Sequence, residues 1–157
     1  MSGAVVADRP GRDQIEEIAF AGRAVMVGTA ARARVDAGHR EMLEALAAGG
    51  AVYGVTRGQG FLAGHALTGP ETRAHQRNLL LGRAVGSAPW LAPEEARALV
   101  AVRLARFLEG RAGVSPELCD RLAQLLGAGL VPAVPRESVG CAGEVIPLAH
   151  AFQILVG

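Results

Sequence analysis

The 157-residue chain contains no lysine; its sixteen basic residues are all arginine, and fifteen acidic residues leave a formal net charge of +1. That balance excludes a dedicated nucleic-acid or polybasic membrane-surface protein, both of which need a marked excess of positive charge. Cysteine is confined to Cys119 and Cys141, too few for a disulfide framework and without the spacing of a zinc site. No apolar run approaches the roughly 18 to 20 residues that span a bilayer, and the N-terminus lacks the basic stretch and apolar run of a signal peptide. A cytoplasmic protein with reduced thiols is expected, with neither nucleic acid nor membrane among its partners. His39, His65, His75 and His150 are scattered without ligand spacing, so they read as surface or packed side chains, and no metal site is expected.

Aromatic side chains make up only 4% of the residues, whereas half the chain is hydrophobic, mostly Ala, Leu and Val. The length suits one packed domain, and the poverty of aromatic residues beside abundant Ala, Leu and Arg favours close-packed helices over sheets. Residues 1–12 read as irregular. Asp13 with Glu16 makes a capping box for a short helix through about Phe20, and Val25-Met26-Val27 reads as a brief extended segment. A helix is expected from Thr29 to about Ala48, stopped by Gly49-Gly50, with Val35, Met42, Leu43 and Leu46 on its apolar face. Three glycines between Gly54 and Gly60 forbid regular helix in Val52–Phe61, which is a functional-loop candidate. Pro70-Glu71 opens a helix through about Val85, and Ser87-Ala88-Pro89 breaks it.

The strongest amphipathic signal starts at Pro93-Glu94-Glu95. Leu99, Val100, Leu104, Phe107 and Leu108 recur at helical spacing, with Arg97, Arg103 and Arg106 interleaved. Ser115-Pro116-Glu117 then combines an N-cap hydroxyl, an N1 proline and an early acid, opening a helix that carries Leu118, Leu122, Leu125 and Leu126. Two prolines between Val131 and Pro135 forbid helix, and an apolar segment runs from Pro147 to Val156. With no internal repeat and no linker, residues 1–157 read as a single unit.

Common catalytic motifs fail on context. Gly58-x-Gly60-x-x-Ala63 fits the dinucleotide fingerprint formally, but no parallel βαβ pattern surrounds it, and leucines stand about twenty residues on, where an acid should bind the ribose. Ser138 lacks the Gly-x-Ser-x-Gly elbow of a serine hydrolase. Two longer segments are more specific. Ala51-Val52-Tyr53-Gly54-Val55-Thr56-Arg57-Gly58-Gln59-Gly60 resembles the Tyr-Gly-Val-Asn-Thr-Gly-Phe-Gly loop of the histidine and phenylalanine ammonia-lyase family. Val134 through His150, containing Gly140-Cys141-Ala142-Gly143-Glu144, resembles the family signature Gly-Ser-Val-Gly-Ala-Ser-Gly-Asp-Leu-Ala-Pro-Leu-Ala-His. Between them Gln76-Arg77-Asn78-Leu79-Leu80 is similar to the family's Gln-x-Asn-Leu-Leu stretch, in the same order.

The resemblance implies a mainly α fold, the N-terminal part of an ammonia-lyase-like (fumarase/aspartase-like) helical architecture with glycine-rich active-site loops. In that family an Ala-Ser-Gly triplet cyclises, and water loss from its serine leaves an electrophilic methylidene-imidazolone. Here the triplet aligns as Cys141-Ala142-Gly143. Ala142 has nothing to eliminate, so no such prosthetic group, and no other cofactor, is expected. Either natural divergence or a deliberate serine-to-alanine change accounts for Ala142, and several joint departures favour divergence. The family's Ser-His-Ala-Ala-Gly segment appears as Gly82-Arg83-Ala84-Val85-Gly86. An arginine there is no base near neutral pH but can clamp a carboxylate or phosphate.

Tyr53 matches the loop tyrosine that the family uses as a general base. A free phenol titrates near pH 10, so that role requires a positive setting. The resemblance therefore implies Tyr53 and, less strongly, Cys141 as catalytic residues, with Gly60 and Arg83 binding substrate. Family enzymes are much longer and continue into a bundle of long helices. This chain ends at Gly157, shortly after His150, so the expected partner is a second polypeptide supplying the C-terminal lyase helices. The expected function is that of one subunit in a split, hetero-oligomeric, imidazolone-free lyase or isomerase acting by tyrosine-based acid/base chemistry on a small molecule, such as one of specialised metabolism. The alternatives are a non-catalytic lyase-like partner and a conventional lyase or aminomutase with its serine replaced.

Overall fold

The computed structural model describes residues 4–138, 140 and 142–156. In chain order the elements are β1 (Val5–Ala7), α1 (Arg12–Ala19), β2 (Val25–Val27), α2 (Thr29–Ala47), α3 (Gly69–Arg83), α4 (Pro93–Phe107), α5 (Pro116–Gly127) and α6 (Val145–Gln153). Their contacts gather into two units, Met1–Leu43 with Leu91–Ala133 and Glu44–Trp90 with Val134–Gly157, where the sequence had suggested one. No linker marks the division, and its first crossing, after Leu43, falls inside a helix. No helix among the described residues is long and apolar enough to cross a membrane.

The first unit is built on α4. Ala96, Val100, Ala101 and Leu104 of that helix are buried with Ile18 and Ala19 of α1 and with Cys119, Leu122, Ala123 and Leu126 of α5. Of the expected stripe, Val100, Leu104 and Leu108 are buried, whereas Leu99 and Phe107 are only half-buried. Burial and the neighbouring Asp120 charge push the Cys119 thiol up to about 11, which suits an inert packing residue. The irregular start expected for residues 1–12 is corrected by β1, which pairs in parallel with β2, Val5 opposite Val25 and Ala7 opposite Val27. Three residues are too few for alternation to announce a strand. The opening of α1 also lies earlier than the Asp13–Glu16 box. Gly11 is the N-cap, and its N–H donates to Gln14 Oε1 at 3.3 Å.

Capping in this unit is partly long-range. Asp8 Oδ1, just beyond β1, accepts the Ala31 N–H at 2.9 Å and satisfies a donor in the first turn of α2. Arg97 is buried in α4, 7% exposed; its Nε and Nη2 donate to Ile18 O at 3.1 and 2.8 Å, and Nη1 to Leu126 O at 2.9 Å. One guanidinium thus closes the C-terminal turns of α1 and α5, where helix dipoles favour positive charge. On α2, Val35 is buried as expected, but Leu43 is 48% exposed and does not join the apolar face assigned to it.

The second unit packs α3 against α6. Thr68 caps α3: its N–H donates to Glu71 Oε2 at 2.9 Å and its hydroxyl to the same oxygen at 2.5 Å. These bonds hold the Glu71 carboxyl below the usual carboxylate range. Val134, Pro135 and Pro147 are buried, and the Arg136 N–H donates to Pro89 O at 2.8 Å, fixing the Pro-rich segment beside the chain that leaves α3.

Candidate functional site

Tyr53, Gly60 and Arg83, singled out as catalytic or substrate-binding, belong to the second unit. The loop after α2 is wound tightly on itself. Val52 O accepts the N–H groups of Val55, Thr56 and Arg57 at 3.1, 3.0 and 3.2 Å, and Val52 donates its own N–H to Thr56 Oγ1 at 2.8 Å. The Thr56 hydroxyl donates onward to Gly50 O at 3.0 Å. Such closure leaves little backbone freedom at Tyr53, so the phenol projects from a rigid base.

Tyr53 and Gly60 are brought into direct contact. The Gly60 N–H donates to Tyr53 Oη at 2.8 Å, and Gly60 has φ +58, a conformation in which glycine is favoured. The phenol oxygen is therefore oriented by a backbone donor, while its own O–H has no partner among the described residues. Tyr53 remains 62% exposed, and the adjoining Phe61 and Leu62 are 103% and 56% exposed. Gln76 of α3 donates its side-chain amide to Gly54 O, tying the loop to that helix. The sequence had singled out Gln76 only as part of a motif; its role depends on a fold that brings residue 54 beside residue 76.

Arg83 lies in the last turn of α3 and is exposed, its guanidinium making no hydrogen bond or ion pair to any other described residue. Three residues on, the Gly86 N–H donates to His150 Nε2 at 3.0 Å. His150 is 6% exposed, and Trp90 lies against it with ring centroids 5.9 Å apart. An Nε2 that accepts places the ring proton on Nδ1, so the Gln153 carboxamide, 3.3 Å from Nδ1, must present its oxygen there. The packed-histidine reading holds, and the structure adds what it does: it fastens α6 to the chain just beyond Arg83. Sequence separation hid this link.

That fastening leaves no room at Gly86. A Cβ there would stand 2.2 Å from Pro135 Cγ and 3.1 Å from Ser138 Oγ, whereas one at Gly82, on α3, would meet nothing within 4 Å. Gly86→Ala is expected to destabilise the protein by about 1–3 kcal/mol, and Gly82→Ala to stabilise it by about 0.5–1 kcal/mol through helix propensity. Urea unfolding followed by circular dichroism checks both signs.

Of the aligned triplet, Cys141 lies outside the described residues. Ala142–Glu144 form a short 3₁₀ turn in which Gly143 (φ 67) and Glu144 (φ 50) are left-handed, immediately before α6. Both carboxylate oxygens of Glu144 lie 3.1 Å from the Gly140 N–H, which donates to them, so the acid at the family's aspartate position braces the turn. Among the described residues no cluster of His, Cys, Asp or Glu could hold a metal ion.

Comparison with known proteins bears on the family and the fold. The family model described as aromatic amino acid lyase matches residues 11–157. Histidine ammonia-lyase of Sorangium cellulosum is 40% identical over 148 residues, covering 91% of this chain and 29% of that protein. The Burkholderia lata histidine ammonia-lyase is 32% identical over 145 residues, 92% of this chain and 29% of that protein. Among solved structures, ergothionase from Treponema denticola, an ergothioneine-degrading enzyme, superposes with a TM-score of 0.89 at 26% identity, covering 99% of this chain and 32% of that one. Tyrosine aminomutase from Streptomyces globisporus superposes with a TM-score of 0.89 at 29% identity, covering 98% and 29%. The expected helical lyase architecture is thus found, and the chain spans less than a third of the relatives it matches. Over residues 11–157 this chain belongs to the aromatic amino acid lyase family.

Proposed function

We propose that the chain forms one wall of an ammonia-lyase-like active site and that Tyr53 acts there as an acid or base on a small substrate. The observation that carries this reading is the 2.8 Å bond from the Gly60 N–H to Tyr53 Oη. A phenol positioned by a backbone donor, yet open to solvent, can exchange a proton with a bound molecule without first reorganising. Arg83 orients an anionic group of the substrate, and Cys141 is the secondary candidate for a nucleophile or polar wall.

The same reading makes the enzyme independent of methylidene-imidazolone. Ala142 offers a methyl where the family has a hydroxyl to expel, so the residues present do not fit that prosthetic group. Elimination, isomerisation or cyclisation begun by proton abstraction needs no such electrophile. A second polypeptide, carrying the C-terminal lyase helices in a hetero-oligomer, completes the site. Exposed Phe61, Leu62 and Val85 beside the Tyr53 loop and Arg83 support a partner, since apolar side chains of this size favour cover. A substrate of specialised metabolism is consistent with the departures at Arg83 and Ala142.

The test is Tyr53→Phe in the assembled complex, with turnover of candidate amino acids and their derivatives followed by mass spectrometry. Loss of about 10²–10⁴ in kcat with retained binding is expected; undiminished turnover removes Tyr53 from the chemistry. If the partner turns over fully without this chain, the non-catalytic reading replaces ours. Ala142→Ser restores the hydroxyl, and absence of an imidazolone band from the ultraviolet spectrum of the complex then counts against the conventional reading. Appearance of that band would favour a conventional lyase or aminomutase.

A further inference from the structure

The first unit carries a groove of about 450 Å³ between the residues around the start of α1 and the end of α4. This volume lies within the range of small-molecule sites. Ile15 of α1 and Val102 of α4 supply apolar lining, and Val102 is 43% exposed. Three arginines line the same groove: Arg9 before α1, Arg106 in the last turn of α4 and Arg111 in the segment that follows. Of these, Arg106 has an acidic partner, Glu109, at 2.9 Å. Arg9 and Arg111 are exposed and make no ion pair or hydrogen bond among the described residues. Among the described residues Glu109 is the one acidic residue in the lining, and with three arginines it leaves an excess of two positive charges there.

Two unpaired guanidiniums beside an apolar surface are matched by a molecule with the opposite pattern. A planar guanidinium takes phosphate or carboxylate oxygens in a two-pronged bond, and the apolar lining is covered by the remainder of the same molecule. We infer that this groove binds a small amphipathic organic anion, its anionic group held by Arg9 and Arg111 and its apolar body lying against Ile15 and Val102. This site is separate from the Tyr53 chemistry and does not depend on it.

Titration of the 157-residue chain with phenyl phosphate, followed by calorimetry, tests the inference, with phenol and inorganic phosphate as its two halves. Saturable binding at least about tenfold tighter than either half is expected, weakening as salt is added. The double variant Arg9→Gln/Arg111→Gln should weaken phenyl phosphate binding about tenfold or more. Val102→Asp, at an exposed position, should do the same by placing negative charge on the apolar surface. Tyr53→Phe should leave the binding unchanged, which separates this site from the proposed catalytic one. Lack of saturation, equal binding of inorganic phosphate and phenyl phosphate, or full retention of binding in both groove variants would overturn it.

Discussion

Gly38→Ala is expected to destabilise the first unit by about 2–4 kcal/mol, although alanine is the better helix former by about 1 kcal/mol. A Cβ at Gly38, in α2, would stand 1.8 Å from Gly110 O. That oxygen is not the end of a flexible side chain. It belongs to a turn whose Gly110 N–H is bonded to Phe107 O at 2.9 Å, and the approach is mutual, since a Cβ at Gly110 would stand 2.6 Å from Arg34 O. Relief requires α2 and the turn to separate. Separation would stretch the Arg34 bonds to Leu108 O, at 3.3 and 3.2 Å, and the 2.8 Å contact from His39 Nδ1 to Gly113 O. Propensity is outweighed by backbone collision together with these lost bonds. For a chain of this size the shift in Tm is about 6–12 °C downward. A Tm equal to or above that of the unaltered protein would mean that α2 does not pass so close to the turn.

The second large effect concerns Arg97. Replacing it with methionine keeps bulk and removes a buried charge, which by itself is often neutral or favourable. Here, however, the guanidinium has no carboxylate partner among the described residues; its three bonds go to the carbonyls of Ile18 and Leu126 at the ends of α1 and α5. Methionine leaves Ile18 O without its donor, at about 1–3 kcal/mol, leaves Leu126 O only backbone donors such as the Gly129 N–H at 3.3 Å, and removes the positive charge from two helix C-termini. A net loss of about 2–4 kcal/mol is expected for Arg97→Met. Arg97→Lys should lose less, because it keeps the charge but cannot reproduce the planar fork. Hydrogen exchange localises the effect: protection should fall at the Phe20 and Ala128 amides, which close those helix ends by donating to Glu16 O and Gln124 O. Unchanged stability in the methionine variant would mean that the two carbonyls find other donors.

These two positions show how far the amino-acid order can be read. Hydrophobic periodicity located α4 and α5 because their apolar residues face one core, and Ser115 caps α5 as its chemistry requires, accepting the Leu118 N–H at 3.3 Å. The same periodicity set Arg97 among interleaved arginines, as though on a solvated face. A charge satisfied by two helix ends cannot be told from a solvated one until the helices are in place. Gly38 likewise looks like a weak point in a helix until residue 110 is known to lie against it. β1 was missed for want of length.

At the candidate site the tyrosine loop and the signature were legible because their residues resemble, in the same order, motifs of the ammonia-lyase family. What joins them was not. The Gly60–Tyr53 bond, the Gln76 bond to Gly54 and the His150 bond to Gly86 each depend on tertiary placement, the last across 64 positions of sequence.

The alternation of the chain between its two bodies has a practical outcome for anyone wishing to dissect it. Each body is assembled from two stretches separated by the other's sequence, so neither corresponds to an uninterrupted segment of the gene. A stand-alone first body calls for an artificial joint from Leu43 to Leu91, and a stand-alone second body for one from Trp90 to Val134. A simple truncation at any internal position removes residues from at least one of them.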